Sequence, residues 1–534
     1  MTTIRASLTP GLLLAAFLVL LLPAIVQGQT SAGKIIGVVQ DSSGGVLPGV
    51  SIVVKNLGTG NSRETLTDDR GQFDVSGLAP GRYQVDAELQ GFRKFSQGPV
   101  TVQVNQETRV NAMLSVGNVQ ETLTVTAEGL LVQTTTSVVG KVVDEKQILQ
   151  LPLSGRNFAD LGLLTPGVTT RGQGTSSGTT TSSFYVHGQR NDANNFLLDG
   201  VSDNSLEGNV LQARPNVDAV QEFKIQTSNF SAEFGRNTGS VVNVVTKSGT
   251  NAFSGSGWEF LRSDKFQAKN FFATTEPPPL KFNQYGGTLG GPAVRNKTFF
   301  FGSFEGYREG RGQTRQTIVA TAQERAGDFS FLRMTLGDPL TGLPFPGNVI
   351  PLNRIDPTAL RLLTLMPLPN IPGVAPRQNN YVSSPVSQTN YDQYMVRVDH
   401  TLNDKWSLFY RHFLQDNDIF NPFQGSNTAN YEGFPSTTVS RPQHATGGVN
   451  AVFSSKFLNE FRVGFSRLTS QSSNLPLLNP IDYGINYVRP QNAIGGLGLP
   501  DIEINGISGI GNTIQGPSIG IYQEYEFTDV LTAI

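Results

Sequence analysis

Apolar and polar side chains alternate along two hairpins in the second half of the chain. In the first hairpin, Tyr394, Val396 and Val398 fall on one face of an extended strand, and Arg397 and Asp399 fall on the other. Residues 402–405 make a short turn, and the returning strand repeats the alternation. A second hairpin of this kind occupies residues 447–468. Such strands suit lipid on one side and a water-filled lumen on the other, so the pattern predicts a transmembrane β-barrel.

The same pattern begins just after residue 250 and continues to residue 534. The first candidate strands cover residues 254–262 and 285–294, and the last covers residues 522–534. About eight strands of roughly ten residues fit this region. Between the early strands and the clear hairpins lies a long segment rich in Pro and Asn, roughly residues 311–390. Short turns at one end and long loops at the other are typical of outer-membrane barrels.

Residues 34–116 show a different pattern, in which short β-branched runs recur about every ten residues with turn signals between them. The turns include Asp-Asp-Arg-Gly at residues 68–71 and Pro-Gly at residues 80–81. This spacing predicts an antiparallel β-sandwich. A calcium site at Asp68, Asp69 and Asp74 is an alternative to a plain turn, although the spacing matches no EF-hand loop.

The N-terminus has the features of an export signal. Arg5 precedes an apolar run over residues 11–26, and Val26 and Gly28 suit a cleavage site, so residues 1–28 are predicted to be a cleaved signal peptide. The alternative is an anchoring transmembrane helix, but the run is shorter than about 20 residues and contains Pro23. After residue 30 no stretch reaches about 18 apolar residues, so the sequence predicts no further membrane-spanning helix.

Composition excludes several functional classes. The chain has 40 Lys and Arg against 42 Asp and Glu, and this balance offers no basic field for nucleic acid. It has no Cys, and its four His form no HExxH-type pair, so thiolate chemistry and common metal sites are not expected. No GxSxG elbow positions a nucleophile. We therefore predict no catalytic residues, no metal site, no cofactor and no enzymatic activity.

The N-terminal sandwich carries a resemblance to a known family. Over residues 31–117, the order TDDRGQF, LAPGRYQV and GF resembles the carboxypeptidase regulatory-like domain, a small transthyretin-like sandwich with a carbohydrate-binding-like fold. The resemblance implies an accessory module without catalysis.

Residues 118–133 form a linker that contains the heptad ETLTVTA. Its alternating apolar and hydroxyl side chains suit an extended strand that can add to the edge of another sheet. The heptad is similar to the TonB box of TonB-dependent outer-membrane receptors, which implies binding to TonB of the TonB–ExbB–ExbD complex. The residues of this box are Glu121, Thr122, Leu123, Thr124, Val125, Thr126 and Ala127. The alternative is that the heptad is the last strand of the first domain.

Residues 134–250 resemble the plug domain of the same receptors. The matching motifs are GQR at 188–190, LDGV at 198–201, VQEF at 220–223 and GSVVNVVTKSGTN at 239–251, with His187 where Asn is more usual. The resemblance implies a small α+β plug. Arg190, Asp192 and Asp199 are candidates to contact a ligand or the barrel wall, and internal salt bridges are the alternative.

Taken together, these segments resemble TonB-dependent receptors of the Oar type, with residues 251–534 as the N-terminal part of the barrel. The resemblance implies a mainly β protein in the bacterial outer membrane, in contact with its lipid, that binds an unidentified external ligand and imports it. A surface binding or adhesion protein without transport is the alternative. Plugged receptors use 22 strands, so about eight strands lead us to expect a truncated chain or fragment.

Overall fold

The computed structural model describes residues 32–117, 122–125, 138–153, 155–170, 184–206, 208–234, 237–268, 277–375, 377–423, 429–454, 456–475, 478–486, 498–512 and 517–533. The signal peptide expected at residues 1–28 lies outside these ranges. Within them, no helix combines the length and the apolar character needed to cross a bilayer.

The first domain is a β-sandwich, as the ten-residue spacing predicted. Its strands are β1 (Gly33–Asp41), β2 (Ser51–Asn56), β3 (Ser62–Leu66), β4 (Gln72–Leu78), β5 (Gly81–Glu88), β6 (Lys94–Val102), β7 (Glu107–Arg109), β8 (Ala112–Leu114) and β9 (Thr122–Val125). In one sheet, β1 pairs with β4 on one side and with β7 and β8 on the other. The second sheet has the order β3-β2-β5-β6-β9.

Strand alternation builds the core of the sandwich. Along β1, Ile35 and Val39 are buried while the residues between them alternate in exposure. The buried residues of this core all lie within residues 35–114. The Asp68 carboxylate accepts the N–H groups of Arg70 and Gln72 at 2.9 and 2.7 Å, so this side chain shapes the tight turn before β4.

A smaller α+β domain follows, which we call the plug. Its elements are β10 (Val139–Asp144), α1 (Glu145–Gln150), a 3₁₀ turn (Phe158–Leu164), β11 (Val168–Thr170), β12 (Phe184–Val186), a 3₁₀ turn (Asn191–Ala193), β13 (Asn195–Leu198), β14 (Val201–Ser202), a 3₁₀ turn (Val217–Ala219), β15 (Val220–Ser228), a 3₁₀ turn (Ala232–Phe234) and β16 (Val241–Thr246). Its main sheet has the order β10-β15-β16-β13-β14. The plug core also contains Phe301, Met395 and Phe413 of the next domain, so the two domains pack directly against each other.

The remaining strands supply a large antiparallel sheet that forms part of a barrel wall. The elements are β17 (Ser254–Ser263), a 3₁₀ turn (Asp264–Phe266), β18 (Leu280–Val294), β19 (Thr298–Gly312), β20 (Arg315–Thr317), α2 (Ala322–Arg325), 3₁₀ turns (Pro346–Asn348 and Leu352–Arg354), α3 (Pro357–Leu363), β21 (Tyr381–Ser383), β22 (Val386–Asn403), β23 (Trp406–Asn421), β24 (Ser436–Ser454), β25 (Phe457–Asn474), a 3₁₀ turn (Pro480–Tyr483) and β26 (Ser518–Ala533). Eight of these strands pair in the order β17-β18-β19-β22-β23-β24-β25-β26. The small β20–β21 sheet stands apart.

The two faces of this wall differ as the alternation predicted. On β22, the side chains of Tyr394, Val396 and Val398 are 45%, 52% and 43% exposed and form part of an apolar outer face. Met395, between the first two, is buried against the plug. Polar side chains such as Arg411 on β23 also lie on the inner face and contact the plug.

The strands join by short turns at one end and by long segments at the other. The long segments 313–385, 422–435 and 475–517 share one hydrophobic core, which we call the loop core. Its buried members include Val319, Met366, Tyr431, Phe434 and Ile510. The stretch expected to be a long loop rich in Pro and Asn is therefore a folded structure that includes α2 and α3.

Residues 31–116 produced alone should fold into a soluble, all-β monomer, because every buried residue of the sandwich core lies within this segment. Circular dichroism should show a strand spectrum with a cooperative thermal transition. Replacing the fully buried Ile52 with Asp should abolish that transition, since it would bury an unpaired charge. A coil spectrum of the unaltered segment at neutral pH would contradict the prediction.

Candidate functional site

The plug meets the barrel wall at the tight turn between β13 and β14. Asp199 and Gly200 form this turn with φ angles of +52° and +83°. Asp-Gly is the preferred pair for a two-residue hairpin because both positions require the left-handed region. The Asp199 carboxylate accepts the Thr246 N–H and hydroxyl, both at 2.9 Å, which ties the turn to β16. The turn therefore holds a carboxylate in a fixed position at the end of the plug sheet.

Two arginines of the barrel wall converge on this carboxylate. Arg397 of β22 donates from one terminal nitrogen to Asp199 Oδ1 at 3.1 Å, and Arg411 Nε of β23 lies 2.8 Å from Asp199 Oδ2. The Arg411 side chain is fully buried, and the Asp199 side chain is 4% exposed. Arg397 also pairs with Asp399 on its own strand. We call this group the Asp199 anchor.

Hydrogen bonds fix the orientation of the buried Arg411. One of its terminal nitrogens donates to Thr446 Oγ1 at 2.7 Å and to His444 Nδ1 at 2.9 Å. His444 Nε2 lies 3.0 Å from the carbonyl oxygen of Ser202 in the plug. Because a carbonyl can only accept, the His444 proton is on Nε2 and Nδ1 is free to accept from Arg411. One neutral histidine therefore links the wall arginine to the plug backbone.

The electrostatics leave Asp199 ionised. Burial raises the pKa of Asp199, but the charges of Arg397 and Arg411 and the hydrogen bonds from Thr246 outweigh it, so that this pKa lies below its usual value. Burial raises the pKa of the neighbouring Asp203 well above its usual range, despite a hydrogen bond from a backbone N–H and the charge of Arg411. Burial therefore favours the protonated form of Asp203, and Asp199 is the carboxylate that balances Arg411.

The wall also completes the edge of the plug sheet. Strand β14 is the last strand of that sheet, so its outer backbone groups need partners. Ser202 donates its N–H to Glu526 Oε2 of β26 at 2.7 Å, and its carbonyl oxygen accepts from His444. Gly464 of β25 permits this close approach, because a Cβ atom there would lie 2.1 Å from a methyl group of Val201. Wall side chains thus replace a neighbouring strand.

A second set of contacts lies farther along the wall. The Gln393 side chain accepts the Asn216 N–H at 2.7 Å and donates to the Arg214 carbonyl oxygen at 2.7 Å. Gln212 donates to the Ser466 hydroxyl at 2.9 Å. These contacts, like those of the Asp199 anchor, are polar and non-covalent.

The three plug residues predicted from the sequence do not form one site. Asp199 contacts the barrel wall as described above. Arg190 and Asp192 pair with each other at 2.7 Å at a half-buried 3₁₀ turn, and the Arg190 side chain is 85% exposed. The wall residues Arg397 and Arg411 were not predicted as site residues, although their place on the polar face of alternating strands was the signal that could have found them.

The sandwich contacts the plug through buried polar groups. The Val104 N–H donates to the Glu222 carboxylate, and Lys224 Nζ donates to the Asn105 carbonyl oxygen at 2.6 Å. Burial raises the pKa of Glu222 to about 7 and lowers the pKa of Lys224 to about 8. We call this group the Glu222–Lys224 contact, and it attaches the first domain to β15.

A cavity of about 580 Å³ lies where the sandwich, plug and barrel turns meet. Its lining includes Arg63 and Tyr83 of the sandwich, Asp199 of the plug, and Arg397 and Glu460 of the wall. Charged groups from all three domains therefore line one cavity beside the Asp199 anchor.

The described part of the TonB-box-like heptad is strand β9. It pairs in parallel with β6, with Lys94 opposite Thr122 and Gln97 opposite Val125. It is the outermost strand of its sheet. Glu121, Thr126 and Ala127 lie outside the described residues. The structure thus shows these four residues as a strand of the first domain's sheet.

Three family models match successive parts of the chain. The outer membrane beta barrel domain matches residues 245–534, which is more than half of the sequence. The carboxypeptidase regulatory-like domain matches residues 34–115, and the TonB-dependent receptor plug domain matches residues 132–242.

Individual proteins are also similar to parts of this chain. The TonB-dependent transporter Oar of Myxococcus xanthus is 27% identical over 312 residues, which cover 55% of this chain and 28% of that relative. The outer membrane transporter YddB of Escherichia coli has a TM-score of 0.47 at 11% identity, over 74% of this chain and 45% of that one. A ferric enterobactin receptor of Pseudomonas aeruginosa has a TM-score of 0.38 at 10% identity, over 73% of this chain and 45% of that one. The matches thus span less than half the length of each of these proteins.

Replacing Asp199 with Asn should destabilise the plug by about 3–5 kcal/mol, because it leaves Arg411 buried without its counter-charge. Replacing Asp192 with Asn removes an exposed ion pair and should change stability by less than about 1 kcal/mol. Guanidinium unfolding of the detergent-solubilised protein, followed by circular dichroism, measures both. Equal losses of unfolding free energy in the two variants would show that the anchor stabilises the protein no more than an exposed ion pair does.

The Glu222–Lys224 contact should make stability depend on pH. Between pH 4.5 and about 7, the folded protein holds a proton on Glu222 that the unfolded chain has released. The free energy of unfolding should therefore fall as pH rises through this window, by about 1.4 kcal/mol at most per pH unit. Asp144 raises and Lys224 lowers the pKa of Glu222, and Lys224 itself titrates above this range.

The variant Glu222→Gln isolates this effect, because it keeps the shape of the side chain and cannot titrate. Thermal unfolding of both proteins between pH 4.5 and 7 should show a weaker decline in the variant. Parallel pH profiles of the two proteins would rule out Glu222 as the source of the pH dependence of stability.

Proposed function

We propose that this chain binds a ligand from outside the cell and imports it with energy delivered through TonB. The chain belongs to the outer membrane β-barrel family and is an Oar-like TonB-dependent receptor with an N-terminal carboxypeptidase regulatory-like domain. Its place is the outer membrane, in contact with the lipid of that bilayer. A transport role, and not a catalytic one, is supported by the similarity to Oar, which is a TonB-dependent transporter.

The observation that carries this proposal is the Asp199 anchor. A transport plug must block the lumen at rest and yield when it is driven. Bringing two charges out of water costs about as much free energy as their attraction returns, so a buried ion pair that is exchanged for hydration changes stability only moderately. The cavity lined by Asp199 and Arg397 provides space for that water. The anchor therefore holds the plug in place through a contact that can be broken reversibly.

The order of strands in the plug sheet gives a route for the driving force. The TonB-box-like strand β9 precedes β10, the first strand of the plug sheet, which is an edge strand paired with β15. The Asp199 anchor lies at the β13–β14 turn, at the opposite edge. Within the plug sheet, a pull that passes from the box into β10 reaches the anchor last. We propose that the plug opens from the box side while the wall still holds its far edge.

TonB is the proposed periplasmic partner, and the backbone of the box provides most of the binding. Val125→Pro in a peptide of residues 116–134 removes one N–H donor and fixes φ near −65°, so it should abolish most binding to a TonB C-terminal domain. Val125→Ala keeps the backbone groups and should weaken binding much less. Titration of the three peptides measures the difference.

Two outcomes would refute the TonB partnership. The first is equal loss of binding by the Pro and Ala peptides, which would point to side-chain recognition at this position. The second is no binding by the unaltered peptide, which would leave the heptad as an ordinary strand of the sandwich. A surface binding protein without transport needs no such partner, so the titration also separates the two functional classes.

A further inference from the structure

We propose that the N-terminal sandwich withholds the box from TonB by keeping it as its own outermost strand, so that TonB binds only after displacing β9 from β6. This inference rests on the proposed function, because it assumes that the box is the segment that TonB binds. The observation behind it is the parallel pairing of Thr122–Val125 with Lys94–Gln97.

Strand β6, which holds the box, is attached to the sandwich by contacts of its own. Phe95 of β6 is buried in the sandwich core, and Lys94 Nζ lies 3.2 Å from Asp86 and 2.6 Å from Glu88 of the neighbouring strand β5. The Ser96 hydroxyl donates to Asp86 at 2.7 Å. Because these contacts do not involve β9, β6 remains in place when β9 leaves. The sandwich then offers an open edge to which the same segment can return.

The box itself is held only by a short ladder. Strand β9 has four residues, and its pairing is parallel, which is slightly less stable per residue than antiparallel pairing. The ladder with β6 ends at Gln97, and two residues later Pro99 has no N–H to donate, so the pairing cannot extend regularly along β6. Four backbone pairs at the end of a sheet can be exchanged for a similar number on another protein.

Force transmission requires this exchange. While β9 stays paired with β6, a pull on the box acts on the sandwich, which is fixed to β15 through Glu222 and Lys224. Only after β9 has left β6 does the same pull pass through the following residues to β10. Displacement of the box from the sandwich therefore has to precede opening of the plug.

The absence of Cys from the chain permits a clean test. Gln97 and Val125 are directly opposed, and neighbouring strands lie at a spacing that a disulfide can span. In the full chain extracted in detergent, the affinity of the reduced Gln97→Cys and Val125→Cys double variant for the TonB C-terminal domain is the reference, so any effect of the two substitutions themselves is already included. Oxidation should weaken binding at least about tenfold, and a reductant should restore it.

The matched control cross-links the opposite end of the same sheet. Lys55 and Ser62 are exposed and opposed on β2 and β3, far from β9 in the strand order. Lys55→Cys with Ser62→Cys should bind TonB equally well when oxidised and when reduced. The free peptide of residues 116–134 should bind more tightly than the full chain, since nothing competes for it.

Each contrary result has a separate meaning. Unchanged binding by the oxidised Gln97–Val125 variant would overturn the inference, because TonB would then be adding to the outer edge of β9 while the sandwich keeps its own side. Equal affinities of the free peptide and the full chain would overturn it as well. Failure of the free peptide to bind would instead refute the proposed function on which the inference rests.

Discussion

The placement of one ionised carboxylate between two domains determines how the plug sits in the wall. Asp199 can bind the wall because an Asp-Gly turn fixes its backbone in the left-handed region. In addition, the alternation of side chains on β22 and β23 brings Arg397 and Arg411 to the inner face, where they contact Asp199. Burial raises the pKa of the neighbouring Asp203 and so favours its uncharged form, which reduces its competition for Arg411. His444 and Glu526 then satisfy the plug edge that the anchor brings against the wall. Each of these contacts requires the others to be in register.

Local patterns in the sequence were enough to predict the strands but not their partners. The period-two alternation around Tyr394 and Val396 predicted both the strand and its outward face correctly, because it reflects a backbone geometry that extends over a few residues. The contact of Asp199 with Arg397 spans 198 residues, and no local pattern specifies it. The sequence also could not decide whether residues 122–125 pair with β6 or with another protein. An extended segment of hydroxyl and apolar residues fits any open sheet edge.

Two of the interactions that involve the sandwich differ in their physical basis. The Glu222–Lys224 contact is buried and sensitive to protonation, and it links the sandwich to the middle of the plug sheet. The β6–β9 ladder consists of pairing between backbone groups at a sheet edge, and these backbone groups do not titrate. Acidity therefore acts on the first connection, and competition for backbone groups acts on the second. The two connections can change independently.

The loop core gives the face opposite the sandwich an unusual antigenic character. Its buried residues come from three segments that are far apart along the chain, yet they pack as one unit around Tyr431 and Phe434. An antibody raised against this folded face would bind a surface contributed by several loops at once. Synthetic peptides copied from any single loop lack the packing that shapes that surface, so they would reproduce it poorly as immunogens.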